Sequence, residues 1–364
     1  MQARRLHHNN SSNHISSTHI DAMHLVALRY NQAIESVVSF MRKSSRYALL
    51  LVLPLAVLGC NATSQQKGHD LRVAVRERAW GASSGGRELS TLHYQIFTTC
   101  SSRQLTDAVP GFMEGAYRNY LSLTGLEDRP PSSLMAIYLM GDRRQWATLT
   151  QSVVGEQAPL YLAIEACGYC YQKVCVFWDI GGLGTLATAS HEGLHQFLAC
   201  RMKNQLPMWL EEGLCTQAEG YQIFGNEVIF TPGENGIRYG DLRAAIMNDQ
   251  WIPLAKLLPM DAGDAVAKST RAAVGYYGQL WSLALFIRSD SRYRAGLVRL
   301  LNDAEQGKLN QAIGVPAEAL TDLQRQGRAY NRVMSQRLFQ HYICDDLARF
   351  EKEYRSFSLK LAKR

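Results

Sequence analysis

Three features that would assign this 364-residue sequence to a special class are absent. No segment repeats at a fixed period, which excludes solenoids and propellers built from units of roughly 20 to 50 residues. No apolar run reaches the ~18 to 20 residues that a transmembrane helix needs. The excess of positive charge is also small. Six of the 39 basic and two of the 32 acidic residues fall in the first 59 positions, so the net charge of +7 for the whole sequence becomes +3 for the residues after position 59. This mild balance gives no reason to expect a nucleic-acid partner.

The longest apolar run, residues 47–59, is typical of a signal peptide. Arg42, Lys43 and Arg46 precede it, and it ends in Val-Leu-Gly followed by Cys60. This ending resembles the lipobox of bacterial lipoproteins, in which the cysteine is diacylated and becomes the first residue of the mature chain. We therefore expect a signal peptide at 41–59 and an exported protein, lipid-anchored to the cell envelope through Cys60 and facing the periplasm. The alternative is an ordinary membrane anchor or a buried helix.

Residues 1–40 look unlike any targeting segment or folded unit. They contain five of the ten histidines, together with many asparagines and serines. One interpretation is a His-rich metal-binding tract. Because Met41 stands where a signal peptide should begin, we expect instead that Met41 is the true start and that residues 1–40 are an over-extended reading frame.

The rest of the chain has the composition of a globular protein, since 46% of all residues are hydrophobic and 20% are charged. Residues 60–91 are polar and are predicted to be a tether between the lipid and the fold. Strands are predicted at residues 93–99, 134–140 and 173–178, a hairpin at 221–230, and helices at 111–123 and 142–151.

After residue 185 the patterns are nearly all helical, including an amphipathic helix near the carboxyl end. This order predicts an α+β fold, with a small mixed sheet followed by a mainly helical half. We place one domain at residues 92–288 and a C-terminal helical extension at 289–364.

The most informative segment is residues 191–195, His-Glu-Gly-Leu-His. Positions i and i+4 of a helix lie one above the other, so His191 and His195 can present both imidazoles to one metal ion. Glu192, one step round the helix, is beside that ion but too far round to be a third ligand. Glu212 follows in Pro-Met-Trp-Leu-Glu-Glu-Gly-Leu, residues 207–214. Two histidines and a carboxylate indicate a zinc hydrolase.

The flanking sequence supports a helix, a short turn and a returning helix. Apolar residues around the motif, such as Leu194 and Phe197, suit one buried helix face. Pro207 indicates the first turn of a second helix. The periodicity of that helix permits either Glu211 or Glu212 to reach the metal. The alternative interpretation is a buried helix with two hydrogen-bonded histidines and a surface pair of glutamates.

These segments together resemble the gluzincin metallopeptidases, in which His-Glu-x-x-His is followed by a helix bearing a Trp-Leu-x-Glu-Gly-like stretch. Here residues 209–213 read Trp-Leu-Glu-Glu-Gly. The resemblance implies His191, His195 and Glu212 as ligands of Zn²⁺, with Glu192 as the general base. It also implies a zincin-like fold, a peptide or protein substrate, and a sheet edge at residues 173–178 along which that substrate lies.

More narrowly, roughly residues 92–288 resemble exported bacterial peptidase MA-like domains. In those domains a Tyr-containing helix follows the Trp-Leu-x-Glu-Gly-Leu stretch, and residues 276–281 of this chain, Tyr-Tyr-Gly-Gln-Leu-Trp, match that helix. The resemblance implies that Tyr277 stabilises the oxyanion of the transition state. A small residue such as alanine commonly follows the Glu-Gly-Leu stretch, whereas this chain has Cys215.

Seven cysteines remain if Cys60 is lipidated. Export makes disulfides plausible, and Cys200 with Cys215 could connect the two ligand helices. Cys167, Cys170 and Cys175 could form part of a second metal site, but no fourth ligand stands at a recognisable spacing, so oxidation is favoured. Because seven is odd, at least one thiol stays free or pairs with another molecule.

The function predicted is zinc-dependent peptide hydrolysis. The rival prediction is a catalytically silent zincin-fold scaffold or a binding module of the cell envelope. Glu192 argues against the scaffold, because a structural zinc site does not need that carboxylate.

Overall fold

The computed structural model describes residues 68–363 except 82–84, 130–131, 165–167, 267–268, 317, 319 and 321–326. The expectations for residues 1–40, for the signal peptide at 41–59, for Cys60 and for Cys167 therefore lie outside the described residues. The described chain is α+β, as predicted. In the same ranges, no helix is both long and apolar enough to cross a membrane.

The described strands form two sheets and are β1 (His69–Asp70), β2 (Arg76–Ala79), β3 (Arg87–Ser90), β4 (Tyr94–Thr98), β5 (Met135–Met140), β6 (Gly168–Tyr171), β7 (Val174–Trp178), β8 (Tyr221–Phe224) and β9 (Glu227–Phe230). The main sheet has six strands in the order β2-β3-β4-β5-β7-β6 and is mixed, as predicted. Strands β4, β5 and β7 run parallel to one another, and the other neighbours are antiparallel. A second sheet, β1-β9-β8, contains the predicted hairpin.

The tether predicted at residues 60–91 is wrong from residue 69 onward, because three strands lie there. β2 and β3 extend the main sheet, and Leu89 is buried on it. The polar composition concealed these strands, since Arg78 and Glu88 face each other across the pair and form an ion pair with a nitrogen-to-oxygen distance of 2.6 Å. Charged cross-strand pairs of this kind satisfy a strand without apolar alternation.

The sheet edge predicted at residues 173–178 is also wrong. β7 pairs with β5 on one side and with β6 on the other, so β6 is the outer strand. The two hairpin strands are joined by Gln172 and Lys173 alone, both with positive φ, 46° and 69°. Such a turn normally carries Asn-Gly or Asp-Gly, and the Gln-Lys pair gave no signal for it.

The helices account for most of the remaining described chain. α1 begins at Arg103 rather than at residue 111, because Ser102 caps it and Pro110 is accommodated inside it. The helices are α1 (Arg103–Thr124), α2 (Arg143–Val154), α3 (Ala158–Leu162), α4 (Gly182–Arg201), α5 (Met208–Ala218), α6 (Gly236–Met247), α7 (Leu254–Leu257), α8 (Ala262–Val266), α9 (Thr270–Ser289), α10 (Ser291–Gln306), α11 (Leu309–Ala312), α12 (Gly327–Tyr342) and α13 (Leu347–Leu361).

The C-terminal helices share one apolar core with the rest of the fold. In α12, the side-chain oxygen of Asn331 accepts a hydrogen bond from the first amide of α5, at Met208, over 2.8 Å. Phe339 packs edge-on against Trp209 of α5 with ring centroids 5.2 Å apart. The helical extension predicted at residues 289–364 is therefore a direct support of the helix that carries Glu212. The amphipathic α13 packs on the same core.

Candidate metal centre

Helix α4 is the buried centre of the molecule, since every residue from Gly184 to Leu198 is buried. Its position depends on close approach to α1 at Gly193, the third residue of the motif. A Cβ at Gly193 would lie 2.5 Å from the hydroxyl oxygen of Tyr120. That hydroxyl donates to the carbonyl of Ser190 over 2.8 Å. Glycine inside the motif is thus a packing requirement, because only hydrogen fits between the two helices.

Two polar side chains fix α4 to its neighbours. The amide of Gln196, fully buried, donates to the carbonyl oxygens of Ala136 and Lys173, each over 2.7 Å. These bonds join α4 to β5 and to the turn before β7. Ser190 donates to the carbonyl of Ala218 at the end of α5 over 2.8 Å. Buried hydrogen bonds of this kind specify one arrangement, because breaking one leaves an unsatisfied polar group.

Helix α5 returns across α4 after Pro207, which stands at its N-cap. The glycine of the Glu-Gly-Leu stretch, Gly213, faces α9. A Cβ there would meet the Cβ of Ala284 at 3.0 Å and the carbonyl oxygen of Leu280 at 3.1 Å. The close approach of α9 on one side leaves the neighbouring residue, Glu212, directed toward α4.

The two histidines and Glu212 converge in the structure. One oxygen of Glu212 lies 3.6 Å from Nε2 of His191 and 3.8 Å from Nε2 of His195. In a tetrahedral zinc site with bonds of about 2.0–2.1 Å, two ligand atoms lie about 3.3 Å apart. The two oxygen-to-nitrogen distances therefore exceed this spacing by only about 0.3 and 0.5 Å. Glu212, and not Glu211, faces the two Nε2 atoms.

The other nitrogen of each imidazole faces a carboxylate. Nδ1 of His191 is 2.8 Å from Glu219, and Nδ1 of His195 is 2.8 Å from Glu211. Since a carboxylate accepts, each Nδ1 donates its hydrogen to that carboxylate, and Nε2 is the nitrogen that would bind a metal. Carboxylate–histidine pairs of this kind orient metal-binding imidazoles in proteins.

Glu219 is the more strongly fixed of the two carboxylates. Arg238 donates to both of its oxygens, over 2.7 and 2.9 Å, and Asn235 donates over 2.9 Å. Burial opposes ionisation, but Arg238 and then His191 hold the pKa of Glu219 at about 2. A second carboxylate, Asp241, contacts Arg238 at 3.3 Å. The arginine is thus buried between two acids, and the Glu219 acceptor is anionic.

The centre as a whole is rich in negative charge. Burial would lower the pKa of His191, but the hydrogen-bonding carboxylates of Glu212 and Glu219 raise it to about 10. The charge of Glu192 acts in the same direction. Buried carboxylates around two imidazoles are stabilised by a cation, and two histidines with one carboxylate are a common zinc donor set. The residues present therefore fit a bound metal ion.

A further donor lies in the same place. A nitrogen of each imidazole and Sγ of Cys215 all lie within 4.8 Å of one another, and the three residues are buried. The three could hold a metal ion, so Cys215 is part of the centre. Its predicted disulfide with Cys200 is wrong, because both cysteines are free and Cys200 is exposed. The reason is geometric, since Cys215 faces the imidazoles inside the fold.

Glu192 and Tyr277 both lie close to these donors. Glu192 is buried on α4 beside His191. Burial and the nearby carboxylate of Glu212 raise the pKa of Tyr277 well above its usual value, and Glu192 adds to the effect. The guanidinium of Arg238 lies over the Tyr277 ring, 5.0 Å from its centroid. Its neighbour Tyr276 instead donates to the carbonyl of Met260.

Sequence reasoning missed the residues around the histidines. Glu219 and Arg238 are 19 positions apart, on different elements, and no local spacing marks them as a pair. Asn235 and Asp241 lie on either side of Arg238 in the sequence, and no motif marks these residues as part of a site. Cys215 did carry a signal, because it replaces the small residue expected after Glu-Gly-Leu.

Comparison with known proteins does not place the chain in a family, since no family model, no curated protein and no solved structure matches it. Its function is therefore inferred from the residues of this centre.

Proposed function

We propose that the protein is a zinc-dependent metallopeptidase of gluzincin type with a zincin-like fold. The observation that carries the proposal is the convergence of one Glu212 oxygen with the Nε2 atoms of His191 and His195, at 3.6 and 3.8 Å, beside the buried Glu192. Purified protein should contain one zinc per chain by metal analysis and cleave a peptide library. Zinc-loaded protein without cleavage of any peptide would contradict the proposal.

Each residue has a distinct part in the proposed reaction. His191, His195 and Glu212 would hold the ion, and Zn²⁺ would supply Lewis acidity toward water and the scissile carbonyl. Glu192 takes a proton from the attacking water and passes it to the leaving amine. Glu219 and Glu211 hold Nδ1 of the two imidazoles, so that Nε2 would be the nitrogen that faces the ion. An extended substrate would pair with the outer strand β6, which packs on α4.

Tyr277 is proposed to donate its hydroxyl to the oxyanion of the transition state. The burial that raises its pKa keeps it protonated and able to donate. Tyr277→Phe removes only the hydroxyl and keeps the ring under Arg238. We expect kcat to fall roughly a hundredfold or more, with KM little changed, because a transition-state donor is lost. Zinc content and melting temperature should stay at the wild-type values, and an unchanged kcat would make Tyr277 a packing residue.

Export and lipid anchoring through Cys60 are part of the same proposal, motivated by the basic flank, the apolar run and the Val-Leu-Gly-Cys ending. The mature chain is expected to begin at Cys60 and to partition into detergent. Mass spectrometry of the native protein checks both points. Peptides from residues 1–40 would overturn the proposed start at Met41, and an unmodified Cys60 would overturn the anchor.

The second candidate, a catalytically silent scaffold, is favoured by one observation. Cys215 places a fourth protein donor beside His191, His195 and Glu212. Structural zinc sites have four protein ligands, whereas catalytic sites keep one position open. A thiolate ligand at Cys215 would close the centre.

Cys215→Ala distinguishes the two candidates. In a peptidase it should leave zinc content and turnover unchanged, because Cys215 is not a ligand. In a scaffold it should weaken zinc binding, and the cobalt-substituted protein should lose a thiolate-to-metal charge-transfer absorption that the wild type shows. Cys344→Ala is the matched control, since Cys344 is also buried but lies after α12, outside the centre.

A further inference from the structure

Two cysteines face each other in the outer hairpin of the main sheet. Cys170 of β6 is directly opposite Cys175 of β7. In a hairpin with a two-residue turn, the flanking residues form the hydrogen-bonded pair, here Tyr171 with Val174. The next pair along, the two cysteines, is then the closely spaced one, with Cα atoms about 4.5 Å apart. Disulfides span Cα distances of about 4.4 to 6.8 Å.

The two side chains also meet. They lie on the same face of the hairpin, both are buried, and both are free thiols. Burial first, and then a hydrogen bond with Cys170, raise the pKa of Cys175 well above its usual value. The Cys175 thiol also donates to the carbonyl oxygen of Glu192 over 3.3 Å. The pair therefore touches the backbone of α4 at the proposed general base.

We propose that Cys170 and Cys175 form a redox site, closing to a cross-strand disulfide in the presence of a low-molecular-weight disulfide oxidant. Cys170, the less buried of the two, attacks the oxidant as its thiolate and releases one small thiol. The sulfur of Cys175 then attacks the mixed disulfide, giving its proton to the second small thiol as that thiol leaves. The protein loses two protons and two electrons, and the oxidant gains them as two thiols.

The bond would have two structural effects. It would join β6 covalently to β7, so the outer strand could no longer separate from the sheet. It would also leave Cys175 without a proton to donate to the Glu192 carbonyl, which transmits the redox state of the hairpin to α4. Neither effect depends on zinc or on peptide hydrolysis.

Peptide mapping tests the pairing directly. The full chain is incubated with oxidised glutathione, the remaining thiols are alkylated, and the protein is digested with trypsin without reduction. Because Lys173 lies between the two cysteines, the disulfide should hold two tryptic peptides together, two hydrogens lighter than the reduced pair.

Serine variants identify the partners, since Cys200 shares a tryptic peptide with Cys175, and Cys167 shares one with Cys170. The linked pair should persist in Cys200→Ser and Cys167→Ser and disappear in Cys170→Ser. Oxidation should also raise the melting temperature of the wild type, but not of Cys170→Ser, by on the order of a few degrees. The redox site would be refuted if the linked pair of peptides persists in Cys170→Ser. It would also be refuted if the pair never forms in wild-type protein whose exposed Cys200 has reacted with oxidised glutathione. Neither peptide mapping nor the melting temperature depends on peptidase activity. The redox site and the proposed peptidase function can therefore be contradicted independently.

Discussion

Glu192→Gln is expected to keep its zinc and to lose turnover by a hundredfold to ten-thousandfold. Glutamine has the size of glutamate, so the packing of α4 around the buried position 192 is preserved. It cannot accept a proton, however, and general acid–base groups contribute about 10²–10⁴ to the rate. The measurement is kcat on any cleaved peptide, together with zinc content and melting temperature on the same sample.

The matched comparison is His191→Ala, which removes a donor instead of the base. We expect zinc to be lost, because only His195 and Glu212 remain of the three proposed donors. Turnover should then vanish together with the metal. Equal zinc in His191→Ala and wild type would contradict the site itself, whereas full kcat in Glu192→Gln would contradict only the assigned base.

Glu219→Gln should weaken zinc binding by roughly 10- to 100-fold, although Glu219 does not face the metal. The substitution removes the anionic acceptor that fixes the His191 tautomer, and losses of this size are typical for such partners. It should also lower the free energy of unfolding by about 3–5 kcal/mol, because Arg238 is left buried without its main counter-ion. Competition with a zinc chelator and denaturant unfolding measure the two effects.

A triple variant separates the effects. Adding Arg238→Met and Asp241→Asn to Glu219→Gln neutralises both members of the buried Arg238–Asp241 ion pair together, and much of the lost stability should return. Zinc affinity should stay low, because His191 still lacks its carboxylate. Glu156→Gln, at an exposed position, is the control and should change neither quantity. If Glu219→Gln binds zinc as tightly as wild type, Glu219 has no role in orienting His191.

The apolar strands and the helices with periodic apolar residues could be predicted from the sequence. β5 and β7 were predicted to within a residue because both are buried in the sheet. β2 and β3 were missed because their contacts are between charged residues, which no alternation reveals. The outer strand β6 was missed for another reason, since its turn at Gln172 and Lys173 has left-handed backbone without the residues that favour it.

The centre was predictable where its residues are close in sequence. His191, His195 and Glu212 follow from helix periodicity and from the resemblance of two short segments. Periodicity alone left Glu211 and Glu212 open, because both residues are in contact with the histidines and differ in which nitrogen they face. The choice of Glu212 came from the resemblance. Glu219 and Arg238 could not be found in the sequence, because their pairing depends on the tertiary arrangement of α5 and α6.

The hydrogen bond from Met208 to Asn331 has a consequence for the time at which the centre forms. It joins positions 123 residues apart. A chain is synthesised from its amino terminus, so His191, His195 and Glu212 have all been made long before Asn331 exists. Until then α5 lacks both its N-terminal partner and the Phe339 ring that packs on Trp209. A chain cut short before α12 should therefore contain every proposed metal ligand without holding them in place. For the proposed hydrolase, this order delays activity until α12 has been made.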